Sequence, residues 1–139
     1  MNPDSELEAG ISVLEPLMTQ HDFVFEKRDS GNGSGGPFAQ GMFINGIWTL
    51  SFSVRFNLGE VLYNAGSSSL DHADYLKALG KSGQYPTFGT STLKSFEALK
   101  EDIANYCSAF LNLDESAFEN IIEKAKVKRT GFSALSDYN

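Results

Sequence analysis

A chain of 139 residues, 41% of them hydrophobic and 21% charged, fits one globular domain. At this length roughly two-thirds of the unfolded surface can be buried, so no disulfide or metal staple is needed. The net charge of −7 is uneven: 7 basic and 17 acidic residues up to Glu123 give −10, and the remainder carries +3. An acidic body repels phosphate backbones and attracts basic proteins, which argues against nucleic acid as a ligand.

No apolar run approaches a membrane span, and Met1-Asn2-Pro3-Asp4-Ser5-Glu6 lacks the basic start and apolar core of a signal peptide. The single Cys107 cannot form an internal disulfide. Together these features predict a cytoplasmic protein with no membrane contact.

Residues 5–20 read as an amphipathic helix, with Leu7, Ile11, Leu14 and Met18 at three- and four-residue steps and Asp4 or Ser5 as cap. Pro16 should kink or end it. From His21 the period becomes two. A first strand runs from Phe23 to Arg28, followed by a flexible glycine-rich connection over 30–37 and a second strand from Phe38 to Ile44. Asn45-Gly46 signals a hairpin turn into a third strand, Ile47–Asn57, and a fourth covers Glu60–Ala65. Three helices follow: 71–79, capped by Asp71 and stopped by Gly80; 92–111, with Phe96, Leu99, Ile103, Cys107 and Phe110 as its stripe; and a last one capped by Asp114, with Phe118, Ile121, Ile122 and Ala125 inward. The pattern dissolves beyond Arg129. The expected fold is α+β: an N-terminal helix, a four-stranded antiparallel meander and three helices on one face of the sheet, in a single domain over 1–129 with a mobile tail over 130–139.

A two-residue turn at Asn45-Gly46 pairs Ile44 with Ile47, Phe43 with Trp48, Gly41 with Leu50 and Ala39 with Phe52. One face then carries Phe43, Trp48, Leu50, Phe52, Val54 and Phe56, a core face to which Val61, Tyr63 and Ala65 are added by the next turn. The opposite face mixes Phe38, Gln40, Met42, Ile44, Ile47 and Leu62 with Thr49, Ser51, Ser53 and Arg55. It is too apolar for a solvated face and too polar for a second core. Partial cover by the first helix or the glycine-rich loop is the plainer explanation. The functional one is a protein-binding surface carried by Arg28, Gln40, Met42, Thr49, Ser51, Ser53 and Arg55, with the two arginines as anchors.

The usual chemical motifs have structural explanations. Gly-x-Gly-x-x-Gly spacing occurs within 31–36, but it leads into a strand, no Lys follows, and nucleotide binding is not expected. His21 and His72 lack convergent partners for a metal site, and Asp71 before His72 reads as a helix cap. Cys107 on an apolar stripe reads as core. No catalytic residue, metal or cofactor is therefore expected.

Several segments stand in a distinctive order: His21-Asp22-Phe23 after the first helix, the Gly-Ser-Gly-Gly connection, and Val61-Leu62-Tyr63 closing the meander. Leu70-Asp71-His72-Ala73-Asp74-Tyr75 and Tyr85-Pro86-Thr87-Phe88 then precede the long helix. This order resembles the small acidic immunity proteins encoded beside bacterial polymorphic and contact-dependent inhibition toxins, over most of residues 5–112. The resemblance lies in layout and carries over no toxin-binding position. It implies a cytoplasmic antidote, not an enzyme, that binds a cognate toxin domain, in many cases a basic nuclease, and blocks it. The competing readings are a small enzyme or ligand-binding domain with a pocket near His72, Tyr75 and Tyr85, and a homodimeric regulatory module.

Overall fold

Helix α1 (Pro3–Gln20) starts earlier than its apolar period suggests, because Asn2 is the cap: its side-chain oxygen accepts from the amides of Asp4 at 3.0 Å and Ser5 at 3.4 Å. Pro3, with no amide hydrogen to leave unpaired, occupies the first helical position. Pro16 does not end the helix. It lies on the exposed side, where water can take up the Ser12 carbonyl that it cannot bond, while buried Leu14 and Met18 hold the turns on either side. The computed structural model describes residues 2–33 and 36–137, with 128–137 described in backbone only.

The sheet has five strands where four are expected: β1 (Val24–Gly33), β2 (Gly36–Asn45), β3 (Trp48–Val54), β4 (Leu58–Ala65) and β5 (Ser68–Asp71), antiparallel and in sequence order. The glycine-rich segment is not a loose connection over its described part. Gly31, Asn32 and Gly33 pair with Phe38, Pro37 and Gly36 and prolong the β1–β2 ladder; Ser34 and Gly35 lie outside the described residues.

The hairpin register differs from the expected one by two. Asn45 pairs with Trp48, Phe43 with Leu50, Gly41 with Phe52 and Ala39 with Val54. The loop is Gly46-Ile47, and Gly46 (φ 62°) holds the first central position, where a II′ turn wants glycine. Asn45 belongs to β2, and its amide donates to the His21 carbonyl at 3.3 Å, which ties the hairpin to the end of α1. A shift of two keeps every side chain on its face. Hence Trp48, Leu50, Phe52 and Val54 are buried as expected, and Thr49, Ser51 and Ser53 are half-buried. Phe56 is not on the core face. β3 stops at Val54, the chain bends through 55–57 where the Asn57 side chain bonds the Leu58 amide and the Thr90 carbonyl, and Phe56 is left 71% exposed.

After β5 come α2 (His72–Ala78), α3 (Thr92–Tyr106), α4 (Ser108–Leu111) and α5 (Glu115–Asp137). Asp71 and Asp114 cap as expected, accepting from the Asp74 amide at 2.8 Å and the Ala117 amide at 3.1 Å. The expected helix over 92–111 is two helices, parted at Cys107, yet its whole stripe stays buried across the break. The helices cover one face of the sheet. Leu7, Leu14 and Met18 of α1, Phe96 and Leu99 of α3, and Phe118 of α5 join the inward sheet residues in one core. Phe110 is its aromatic hub: its ring stacks on Phe23 (centroids 5.3 Å apart) and meets Trp48 (5.7 Å) and Tyr63 (5.1 Å) edge-on. α1 approaches α3 closely at Gly10, where a Cβ would clash with the edge of the Phe96 ring.

Candidate functional site

The second face of the sheet is open, and pairing fixes what it displays. Rows across the strands read Val24–Ile44–Thr49–Asn64–Ser69 and Glu26–Met42–Ser51–Leu62–Asp71. α1 does not shade this face: Leu7 reaches Gly41 from the core side, beside Phe25. Next to these rows the ladder is irregular in two places. On β1, Arg28 and Asp29 together stand opposite Gln40, and on β4, Gly59 and Glu60 together stand opposite Ser53. Such bulges bend a strand and re-aim its side chains.

The result is a shallow trough over Gln40, Met42, Ser51 and Ser53, edged by Arg28 and Asp29 on one side and by Glu60 and Leu62 on the other. Of the expected binding residues, Arg28, Gln40, Met42, Ser51 and Ser53 come together here. Thr49 lies one row beyond, toward the Gly46 turn. Arg55 lies past the other end, its guanidinium 5.6 Å from the Phe38 ring centre. Arg28 is engaged with Glu26 at 3.3 Å; both groups are half-exposed, so the pair contributes little to stability. Asp29 and Glu60 are trough residues that alternation does not reveal, because a bulge is a property of two strands at once.

A second constellation lies inside the protein. His72 is 2% exposed, with Tyr63 Oη 2.6 Å from its Nδ1 and Asp102 Oδ2 2.9 Å from its Nε2. Asp102, also buried, accepts from the Gln84 amide at 2.7 Å and the Tyr85 amide at 2.9 Å. The Cys107 thiol donates to Tyr63 Oη at 3.7 Å. One direction of donation satisfies the chain: Cys107 to Tyr63, Tyr63 to His72, and His72 Nε2–H to Asp102. Burial pushes the Cys107 thiol up to about 12, and Tyr63 is raised well above its ordinary value, again chiefly by burial. Both stay protonated at neutral pH and serve as donors, and a thiol so placed is a poor nucleophile. The Tyr85 hydroxyl donates to the carbonyls of Leu58 (2.9 Å) and Gly59, on the β4 edge beyond the end of β5. The recess beside His72 and Tyr85 is shallow, and Tyr75 is not in it: Tyr75 lies in the core and accepts from the Phe110 amide at 3.3 Å. Sequence reading sets His72 beside a cap and near a candidate pocket, but does not join it to Tyr63 and Asp102, which lie 9 and 30 residues away.

Burial, the largest influence, lowers the His72 pKa from its ordinary 6.5, against the opposing hydrogen bond and charge of Asp102 and the charge of Asp71. The unfolded ring takes up a proton near pH 6.5, while the folded ring resists to lower pH. The stability due to this group is complete above about pH 6.5 and falls as pH drops below it. Urea unfolding is expected to show a lower midpoint at about pH 5.5 than at about pH 7.5, with a flatter profile in His72→Gln. Equal slopes in the two proteins would remove His72 as the cause.

Among the described residues no helix is long and apolar enough to cross a membrane, and no three His, Cys, Asp or Glu side chains are grouped to hold a metal ion. Comparison with protein-family models, with curated proteins and with solved structures found no match.

Proposed function

We propose that this chain is an immunity-type protein that neutralises a cognate bacterial toxin by binding it, with the open sheet face as the docking surface. The observation that supports this reading most is the composition of that face. Its half-buried side chains are mixed polar and apolar, no element among the described residues lies over it, and its charges are predominantly acidic: Glu26, Asp29, Glu60 and Asp71 against Arg28 and Arg55. Protein interfaces combine an apolar centre with a polar rim, and here Met42 and Leu62 lie between charged edges. The acidic excess suits a basic toxin domain, whose approach it steers. Neutralisation is then steric: the bound sheet covers the toxin's active surface.

Co-expression with the toxin encoded beside the gene is expected to restore growth. Met42→Arg and Ser51→Arg place a like charge at the centre of the face. Each should abolish rescue and weaken binding by at least about 2 kcal/mol, the scale of a hot spot, while circular dichroism and thermal unfolding stay as in the parent. Lys94→Ser on the helical layer should rescue normally. Rescue retained by both arginine variants would count against the sheet face, and no rescue by the parent chain would count against the immunity reading.

A further inference from the structure

The trough has a shape as well as a charge, and the inference drawn from it rests on the sheet-face reading above. The two bulges stand level with each other, on either side of the Gln40–Ser53 pair, so each brings a carboxylate, Asp29 or Glu60, to opposite walls of one depression. β1 and β4 are three strand spacings apart, about 14 Å. The floor between them is low: β3 offers only Ser51 and Ser53, and at Gly59 a Cβ would stand 3.2 Å from Ser53 Oγ. Met42 and Leu62 flank Ser51 in the next row.

We infer that the toxin segment seated in this trough is a basic amphipathic α-helix, lying along the strands over β2 and β3. A helix with its side chains is about 10–12 Å across, which fits between the walls. An extended segment fits poorly, because on a sheet's face its backbone amides and carbonyls meet side chains and no ladder, whereas a helix bonds its own. An apolar stripe at helical spacing then meets Met42 and Leu62, and Lys or Arg on the two flanks reach Asp29 on one wall and Glu60 on the other. A second copy of this chain is a worse occupant, since Asp29 and Glu60 of one face would meet those of the other while Arg28 is already engaged by Glu26.

A nitrogen-15 NMR titration tests this with two synthetic amphipathic Leu/Lys peptides of about eighteen residues, alike except that one has two central alanines and the other prolines in their place. The expected result is amide shifts confined to Gln40–Met42, Ser51–Ser53 and Glu60–Leu62. The helical peptide should bind at least about tenfold tighter than the proline peptide, and Asp29→Lys with Glu60→Lys should remove at least about tenfold of that affinity. Equal affinity of the two peptides for the sheet face overturns the helix while leaving the face as a docking surface. Shifts on the helical layer, or binding by neither peptide, also overturn it, and the growth-rescue assay then decides separately whether the face docks the toxin. Dimerisation of the parent chain that Ser51→Arg abolishes overturns it in favour of self-association.

Discussion

Asp102→Ala is expected to lower the free energy of unfolding by about 3–5 kcal/mol, a large share of the roughly 5–15 kcal/mol that holds a typical domain together. The side chain accepts three donors, from Gln84, Tyr85 and His72, in a site with almost no solvent. Alanine leaves all three unpaired, and each buried, unsatisfied donor costs about 1–3 kcal/mol less whatever water regains access to it. The loss reaches beyond the network, because the Gln84 and Tyr85 amides fix the loop from which the Tyr85 hydroxyl reaches the β4 edge. Asp102→Asn keeps one acceptor oxygen but sets an amide N–H against at least one of the same donors, so it should fall between parent and alanine. Denaturant unfolding measures both. A loss under about 1 kcal/mol for the alanine variant would mean that the network orders local geometry without supporting the fold.

Phe110→Ala is expected to cost about 3–5 kcal/mol, through lost burial and the cavity left behind. The ring is fully buried where strand, hairpin and last helix converge, against Phe23, Trp48, Tyr63 and Phe118. Those neighbours belong to four separate segments and cannot all close on the vacated space. Phe110→Leu, closer in volume, should cost much less. Trp48 is the only tryptophan and packs edge-on against Phe110, so its fluorescence reports repacking directly while denaturant unfolding gives the energy. An alanine variant as stable as the parent would show that α4 and α5 collapse readily onto the sheet.

What the sequence reveals about this fold depends on how local each cause is. Side-chain parity is local, and the division of Trp48–Val54 into buried and half-buried sets was readable even though the register was misplaced by two. Capping is local, and Asp71 and Asp114 do what their positions imply. β5 was not readable, because Ser68-Ser69-Leu70-Asp71 sends only Leu70 firmly inward and shows no alternation. Phe56 misled in the opposite way: alternation continues past Val54, but the bend depends on Asn57 bonding a loop more than thirty residues away. Asp102 is a charged residue that an apolar stripe does not pick out, though it stands three residues from Leu99 and is nearly as buried as its neighbour Ile103. Its reason for being there is the loop at Gln84 and Tyr85, which periodicity does not register. Most of the trough floor was legible as an alternating set; its acidic walls were not, since each arises where two residues face one across a ladder.

The bulge at Arg28 and Asp29 has one more effect. β1 is an edge strand, ten residues long and exposed along most of its length, with Val24 70% exposed. A straight strand of that length is a template on which identical chains stack into fibres. Here the ladder is broken midway along, Lys27 is drawn toward Asp4 of α1 at 2.8 Å, and the Glu26–Arg28 pair adds charge next to the break. An incoming strand would lose register at the bulge and meet charge beside it. The same irregularity that places a carboxylate on the open sheet face thus works against edge-to-edge pairing of identical chains.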